Sequence, residues 1–179
     1  MNNTLRHIAG YIGGGFIFLI LVPFGFYELS RLDYLNDHTI LINTTPLKYS
    51  VCLLIFILGM LFVGWSNIFL FIIGKGGPAD GFGITISPRS KNLVTTGPYR
   101  FTRNPMVFGA LAVYLSLVIY MNSLFGLIAV ILLFFAVRVY LKLSEEKRLL
   151  RDFGNDYAEY RKKVPMIIPL KFMWIRFKR

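Results

Sequence analysis

The chain is poor in the residues that build metal and redox sites. Its 179 residues include one cysteine and two histidines. Cys52 lies in an apolar run, which excludes a disulfide framework and leaves a buried, inert thiol as the expectation. His38 has no cysteine or acidic cluster at ligand spacing around it, so no metal site is expected. Acids are scarce as well: nine Asp and Glu stand against twenty Lys and Arg, a net charge of +11. A glycine fingerprint for dinucleotides is missing too. Gly81-Phe82-Gly83 lacks the third glycine and the strand–helix context that would make it one. A soluble Rossmann methyltransferase or dehydrogenase is therefore excluded.

What the chain has in abundance is apolar length. Hydrophobic residues make up 55% of it, more than an ordinary soluble domain carries. Ile8–Tyr27 is a charge-free run long enough to cross a bilayer at about 1.5 Å per residue. It is read as a retained first helix, since no small-x-small cleavage site follows it. Gly13-Gly14-Gly15 gives that helix either a thin waist for close packing or a flexible point. Glu28–Pro46 reads as a polar loop on the outer face. Tyr49–Ile73 is a second span, with Trp65 and Asn67 towards its far end and Asn67 read as helix glue. Gly74–Asn104 is a long, glycine-rich and basic loop. Pro105–Tyr120 and Leu124–Leu141 form a tight helical hairpin around Met121-Asn122-Ser123, the first arm slightly short for a bilayer core. The second arm continues past the membrane until Phe153-Gly154 stops it. Asn155–Val164 can form another short helix, which the prolines at 165 and 169 end. The basic, aromatic tail Lys171–Arg179 resembles an interfacial anchor.

The charges order these spans. The loop 74–104 holds five Lys and Arg and the segment from Arg138 onward holds twelve, together 17 of the 20. Four spans put both regions on one side with the N-terminus, and the positive-inside rule makes that side cytoplasmic. A basic membrane protein also meets anionic headgroups, and nucleic acid is not an expected partner. The fold expected is all-α: a polytopic membrane helix bundle of about four transmembrane helices, with a short helical hairpin and a cytosolic C-terminal helix. It forms one membrane domain, in which 1–73 supply scaffold helices and 74–179 the catalytic half.

Two polar blocks flank the hairpin and must meet at one membrane face. The first is Gly97-Pro98-Tyr99-Arg100-Phe101-Thr102-Arg103-Asn104-Pro105, followed by Met106. The second is Glu145-Glu146-x-x-Leu149-x-x-x-Phe153-Gly154-x-x-Tyr157-x-x-Tyr160-x-x-x-Val164-Pro165. Together they resemble the isoprenylcysteine carboxyl methyltransferase family, and the related membrane phospholipid methyltransferases share parts of them. The resemblance spans roughly Gly81 to Pro169. It implies S-adenosylmethionine as cofactor, bound at the cytosolic end of the hairpin, and a lipophilic acceptor. The family more often has Arg-His-Pro where this chain has Arg103-Asn104-Pro105. Asn104 can donate and accept a hydrogen bond but cannot carry a proton, so a cofactor contact survives and an acid–base role does not. Val107 stands where the family often has Tyr.

The charged groups of that cofactor match residues in the blocks. Glu145 or Glu146 can meet its ammonium. Arg103, with the N–H groups opening the helix at Met106 and Val107, can meet its carboxylate. Tyr99, Tyr157 and Tyr160 can wall the adenosyl or sulfonium group, beside Asn104 and Pro105. Glu145, seven residues from Arg138, is read as facing the cavity, and Glu146, four from Lys142, as pairing or meeting solvent. Arg138, in the last apolar turns, either orients an anionic substrate group as part of the catalytic set or snorkels to the headgroups. A carboxylate acceptor needs only positioning, whereas an amine must lose a proton to Glu145 or Glu146. Two other classes are open: a sterol-reductase-like membrane enzyme using a nicotinamide cofactor, and a non-enzymatic protein whose basic face binds lipid.

Overall fold

The computed structural model describes residues 3–35, 46–77, 80–81, 84–85 and 90–169. His38, Arg89, the Phe82-Gly83 pair and the tail Lys171–Arg179 lie outside the described residues.

Among the described residues, six α-helices make up the structure. Helix α1 (Asn3–Phe16) runs through a π turn (Ile17–Leu21) into α2 (Val22–Leu35). The π turn has a local cause. Its widened ladder bonds the Val22 N–H to the Ile17 carbonyl, five residues back. The next such donor would be Pro23, which has no N–H. The Phe18 carbonyl is satisfied instead by the Tyr114 hydroxyl at 3.3 Å. The Tyr114 ring sits 5.4 Å from both Phe18 and Phe26, at the centre of a core completed by Val113, Val118 and Val130.

Helix α2 outlasts the expected first span: Glu28–Leu35, expected as loop, are helical. Their polar groups are satisfied within the helix and at its end. Arg31 pairs with Glu28 at 3.2 Å, and the Ser30 hydroxyl donates to the Tyr27 carbonyl at 2.7 Å. Asp33 is buried and reaches the hairpin turn, where its carboxylate accepts from the Ser123 hydroxyl and from the Phe125 N–H at 3.2 Å. Ser123 in turn caps α5, accepting from the Gly126 N–H at 2.8 Å. A carboxylate at a helix N-terminus faces the positive end of the dipole and the free N–H groups.

Helix α3 (Pro46–Ile72) packs along α4 (Pro105–Met121), and α5 (Leu124–Tyr140) returns antiparallel to α4. The α3–α4 crossing is set by two glycines. A Cβ on Gly59 would lie 2.8 Å from the Gly109 carbonyl, and one on Gly109 would lie 2.6 Å from the Gly59 carbonyl. Small residues let membrane helices approach backbone to backbone. The triple glycine of α1 does not serve that purpose, since a Cβ at Gly13, Gly14 or Gly15 would meet nothing within 4 Å. Gly109→Leu is therefore expected to lower the thermal midpoint in detergent sharply, while Gly13→Ala leaves it unchanged. Equal midpoints for the two variants would remove the crossing from this account.

Among the described residues, three helical stretches are long and apolar enough to cross a membrane: Gly10–Leu35, Pro46–Ile72 and Leu124–Lys163. The fourth apolar helix, Pro105–Met121, has 17 residues and reaches about 25 Å, a little under the bilayer core. Many large apolar side chains of α1–α3 and α5 are exposed, as lipid-facing surface requires. The third stretch is 40 residues, about 60 Å, twice what the bilayer needs. Its second half therefore emerges beyond α5 through another π turn (Leu141–Glu145) into the polar helix α6 (Glu146–Lys163). Gly154, at φ +53°, bends α6 where the sequence places a stop. Between α3 and α4 the loop carries a two-residue ladder, β1 (Asp80–Gly81) with β2 (Ile84–Thr85), and a 3-10 turn over Gly97–Arg100.

Candidate active site

The two polar blocks meet through the backbone. The loop before α4 is pinned by the segment after α6. The Arg103 N–H donates to the Pro165 carbonyl at 2.9 Å. The Met166 carbonyl accepts from the Asn104 N–H at 3.1 Å, from Asn104 Nδ2 at 3.0 Å and from the Thr102 hydroxyl at 3.0 Å. One turn earlier on α6, the Tyr160 hydroxyl donates to the Tyr99 carbonyl at 2.6 Å. The prolines that stop α6 thus free carbonyls to receive donors from the opposite block. At Gly97, φ is +59° and the Phe69 ring fills the space a Cβ would take, so only glycine lets the loop lie against α3.

Between the blocks lies a cavity of about 890 Å³, counted with its open mouth. Tyr99, Arg103, Asn104, Pro105, Met106, Glu145, Tyr157 and Tyr160 all line it. Glu146 lies behind this wall. It is buried, forms an ion pair with Arg103, and has Arg161 Nη1 at 3.9 Å. Glu145 points into the cavity, with about 30% of its side chain accessible and Arg148 Nη2 at 3.7 Å. Arg138 is exposed on α5 and does not line the cavity. The π turn explains the separation, because it inserts a residue between Arg138 and Glu145 and breaks the 3.6-residue count that aligned them.

The electrostatics follow from this enclosure. Burial pushes the Glu145 carboxyl up to about 7, and the adjacent Glu146 carboxylate adds to the shift. Burial raises the Tyr99, Tyr157 and Tyr160 phenols as well, keeping them neutral donors. Arg103 is nearly buried, with Nη1 3.4 Å from the Tyr157 hydroxyl, and its Nε has no hydrogen-bond partner among the described residues. The first-turn N–H groups of α4 at Met106 and Val107 are ones a helix leaves without an internal partner. The cavity thus offers a carboxylate, a guanidinium with an unused donor, helix N–H groups and three aromatic rings. That donor set fits a small zwitterion bearing an aromatic base.

Sequence reasoning missed Asn92 and Arg148, which also line the cavity. Asn92 fixes the loop to the end of α3, its Nδ2 donating to the Ile73 carbonyl at 2.9 Å. Arg148 had a signal, an i,i+3 spacing from Glu145. Asn92 had none, because its role depends on how a long loop folds back. Among the described residues no group of three His, Cys, Asp or Glu could hold a metal ion.

Fold and site together define an integral-membrane helix bundle with an open cavity, lined by apolar, aromatic and a few charged side chains, where a helical hairpin leaves the apolar layer. Residues 47–156 match the phospholipid methyltransferase family model, and the chain belongs to that family. A stretch of 94 residues is 39% identical to the Protein-S-isoprenylcysteine O-methyltransferase of Schizosaccharomyces pombe, covering 49% of this chain and 38% of that protein. The chain thus matches well under half the length of this relative. No solved structure matches.

Proposed function

We propose that the protein is an integral-membrane enzyme that moves a methyl group from S-adenosylmethionine to a lipophilic acceptor, of the prenylcysteine carboxylate or phospholipid amine class. The observation that carries this reading is the convergence of Glu145 and Arg103 on one cavity beside the opening turn of α4. S-adenosylmethionine supplies the electrophilic methyl when bound. Glu145 holds its ammonium. Arg103 Nε and the α4 N–H groups hold its carboxylate. Tyr99 and Tyr157 wall the remainder, and the hairpin excludes water from the reacting end. Glu146 positions Arg103. Arg138 sits at the membrane boundary, where it steers or anchors through headgroups. The excess of Lys and Arg in 74–104 and from Arg138 onward supports a cytoplasmic side for the cavity and both termini. A nicotinamide dinucleotide suits the site less well, since its pyrophosphate would meet Glu145 and Glu146.

The test is transfer of radiolabelled methyl from S-adenosylmethionine by purified protein in native membrane extract. Label is expected in the lipid-soluble fraction, in protein-bound prenylcysteine or in phospholipid. An absence both of transfer and of measurable cofactor binding would refute the reading.

A further inference from the structure

A second cavity, of about 830 Å³ counted with its open side, lies between α1, α3 and α4. It is mostly apolar, and it is continuous with the candidate active site in one respect: Met106 and Val107 wall both. Its α1 wall includes Gly10, Gly14 and Gly15. A Cβ at Gly14 or Gly15 would meet nothing within 4 Å, so the missing side chains widen the groove and serve no helix contact. The α3 wall carries one polar side chain, Asn67. Its Nδ2 donates to the Val63 carbonyl at 2.9 Å. A carbonyl only accepts, so the nitrogen must face Val63, and the amide orientation is fixed by chemistry. Asn67 Oδ1 is left buried, with no hydrogen-bond partner among the described residues. A buried acceptor without a donor is unfavourable and calls for a partner that arrives with a ligand.

We propose that this groove receives the apolar chain of the methyl acceptor, and that Asn67 Oδ1 accepts a hydrogen bond from an N–H in the acceptor's head group. The inference rests on the methyltransferase reading above and adds to it the place and polarity of the second substrate. The groove is apolar along its length, as a lipid tail requires. Among the described residues, the one buried side-chain polar atom in its walls without a hydrogen-bond partner is an acceptor, so the group that complements it is a donor; the Tyr11 hydroxyl also lines the groove but is not buried. Two sources supply that chemistry: the amine of an aminophospholipid, and the amide N–H beside the carboxylate of a prenylated cysteine.

Three acceptors separate the possibilities: phosphatidylethanolamine, N-acetyl-S-farnesylcysteine, and a farnesylthiopropionate that keeps the carboxylate but has no nitrogen. Each is assayed for direct binding without cofactor and for KM and kcat with it. The wild-type protein is compared with Asn67→Leu and Gly14→Phe. Asn67→Leu is expected to weaken binding and raise KM about tenfold for whichever N–H acceptor the protein uses, one hydrogen bond's worth. Its kcat and cofactor affinity should stay at wild-type values, as should its binding of the nitrogen-free acid. Gly14→Phe fills the groove and should abolish acceptor binding while cofactor binding persists. Unchanged acceptor binding in either variant would overturn the proposal, as would an equal loss for the nitrogen-free acid. Groove-dependent lipid binding without methyl transfer would sink the enzymatic reading alone.

Discussion

Glu146→Ala is expected to destabilise the protein by about 3–5 kcal/mol, the range seen when one member of a buried ion pair is removed. Arg103 and Glu146 each keep under a tenth of their side-chain surface accessible. Without Glu146 the guanidinium keeps, among the described residues, the Tyr157 hydroxyl at 3.4 Å, which cannot neutralise it. Arg103→Ala should cost less. The stranded carboxylate then still has Arg161 at 3.9 Å, and that side chain is nearly half exposed and can move closer. The ordering Glu146→Ala worse than Arg103→Ala is the specific expectation, read as thermal midpoints in detergent. Replacing both partners, as Arg103→Met with Glu146→Leu, should recover much of the stability, since an apolar pair removes the desolvation penalty. The same double variant should lose cofactor affinity, because Arg103 also lines the cavity. A double variant that binds S-adenosylmethionine normally would confine this pair to a structural role. Single variants as stable as the wild type would show that the pair is solvated.

The sequence carried the helices well where apolar runs define them, and poorly where polar residues find partners far away. The second span and both hairpin arms came within three residues of their observed ends, because run length and Pro105 mark them. The end of α2 did not. Glu28, Arg31 and Asp33 look like loop residues in a linear reading, and the Ser123 hydroxyl and Phe125 N–H, 90 and 92 residues later, explain why Asp33 can be buried. The site was legible as two blocks because hairpin topology forces them to one face. Their manner of joining was not. That Met166 would accept three hydrogen bonds from Thr102 and Asn104 depends on the path of a proline-broken segment, which no periodicity encodes. The two π turns were invisible for the same reason. Each adds one residue to a helical count, and the second one separates Arg138 from Glu145.

Glu145→Gln should abolish the pH dependence of cofactor affinity and weaken binding tenfold to a hundredfold at pH 8. The reasoning starts from enclosure. The carboxyl has risen from 4.5 to about 7, above all through burial and then through the neighbouring Glu146. In the folded protein it is therefore half protonated near neutrality. A neutral acid pairs weakly with an ammonium, whereas a carboxylate forms a charge-assisted bond worth about 1.5–3 kcal/mol. Affinity for S-adenosylmethionine should accordingly rise as pH climbs through 7 and level off above it. The stability of the ligand-free protein should move the opposite way. Between pH 4.5 and 7 the folded state binds the Glu145 proton while the unfolded chain has released it, so raising pH over that window favours unfolding. Glu145→Gln keeps the shape, removes the titration and should flatten both curves. Bound cofactor should reverse the stability trend in the wild type, since its ammonium stabilises the ionised form. Calorimetric affinities and thermal midpoints from pH 5 to 9 read all of these at once. A wild-type affinity independent of pH, or a glutamine variant with the same profile as the wild type, would take Glu145 out of the ammonium site.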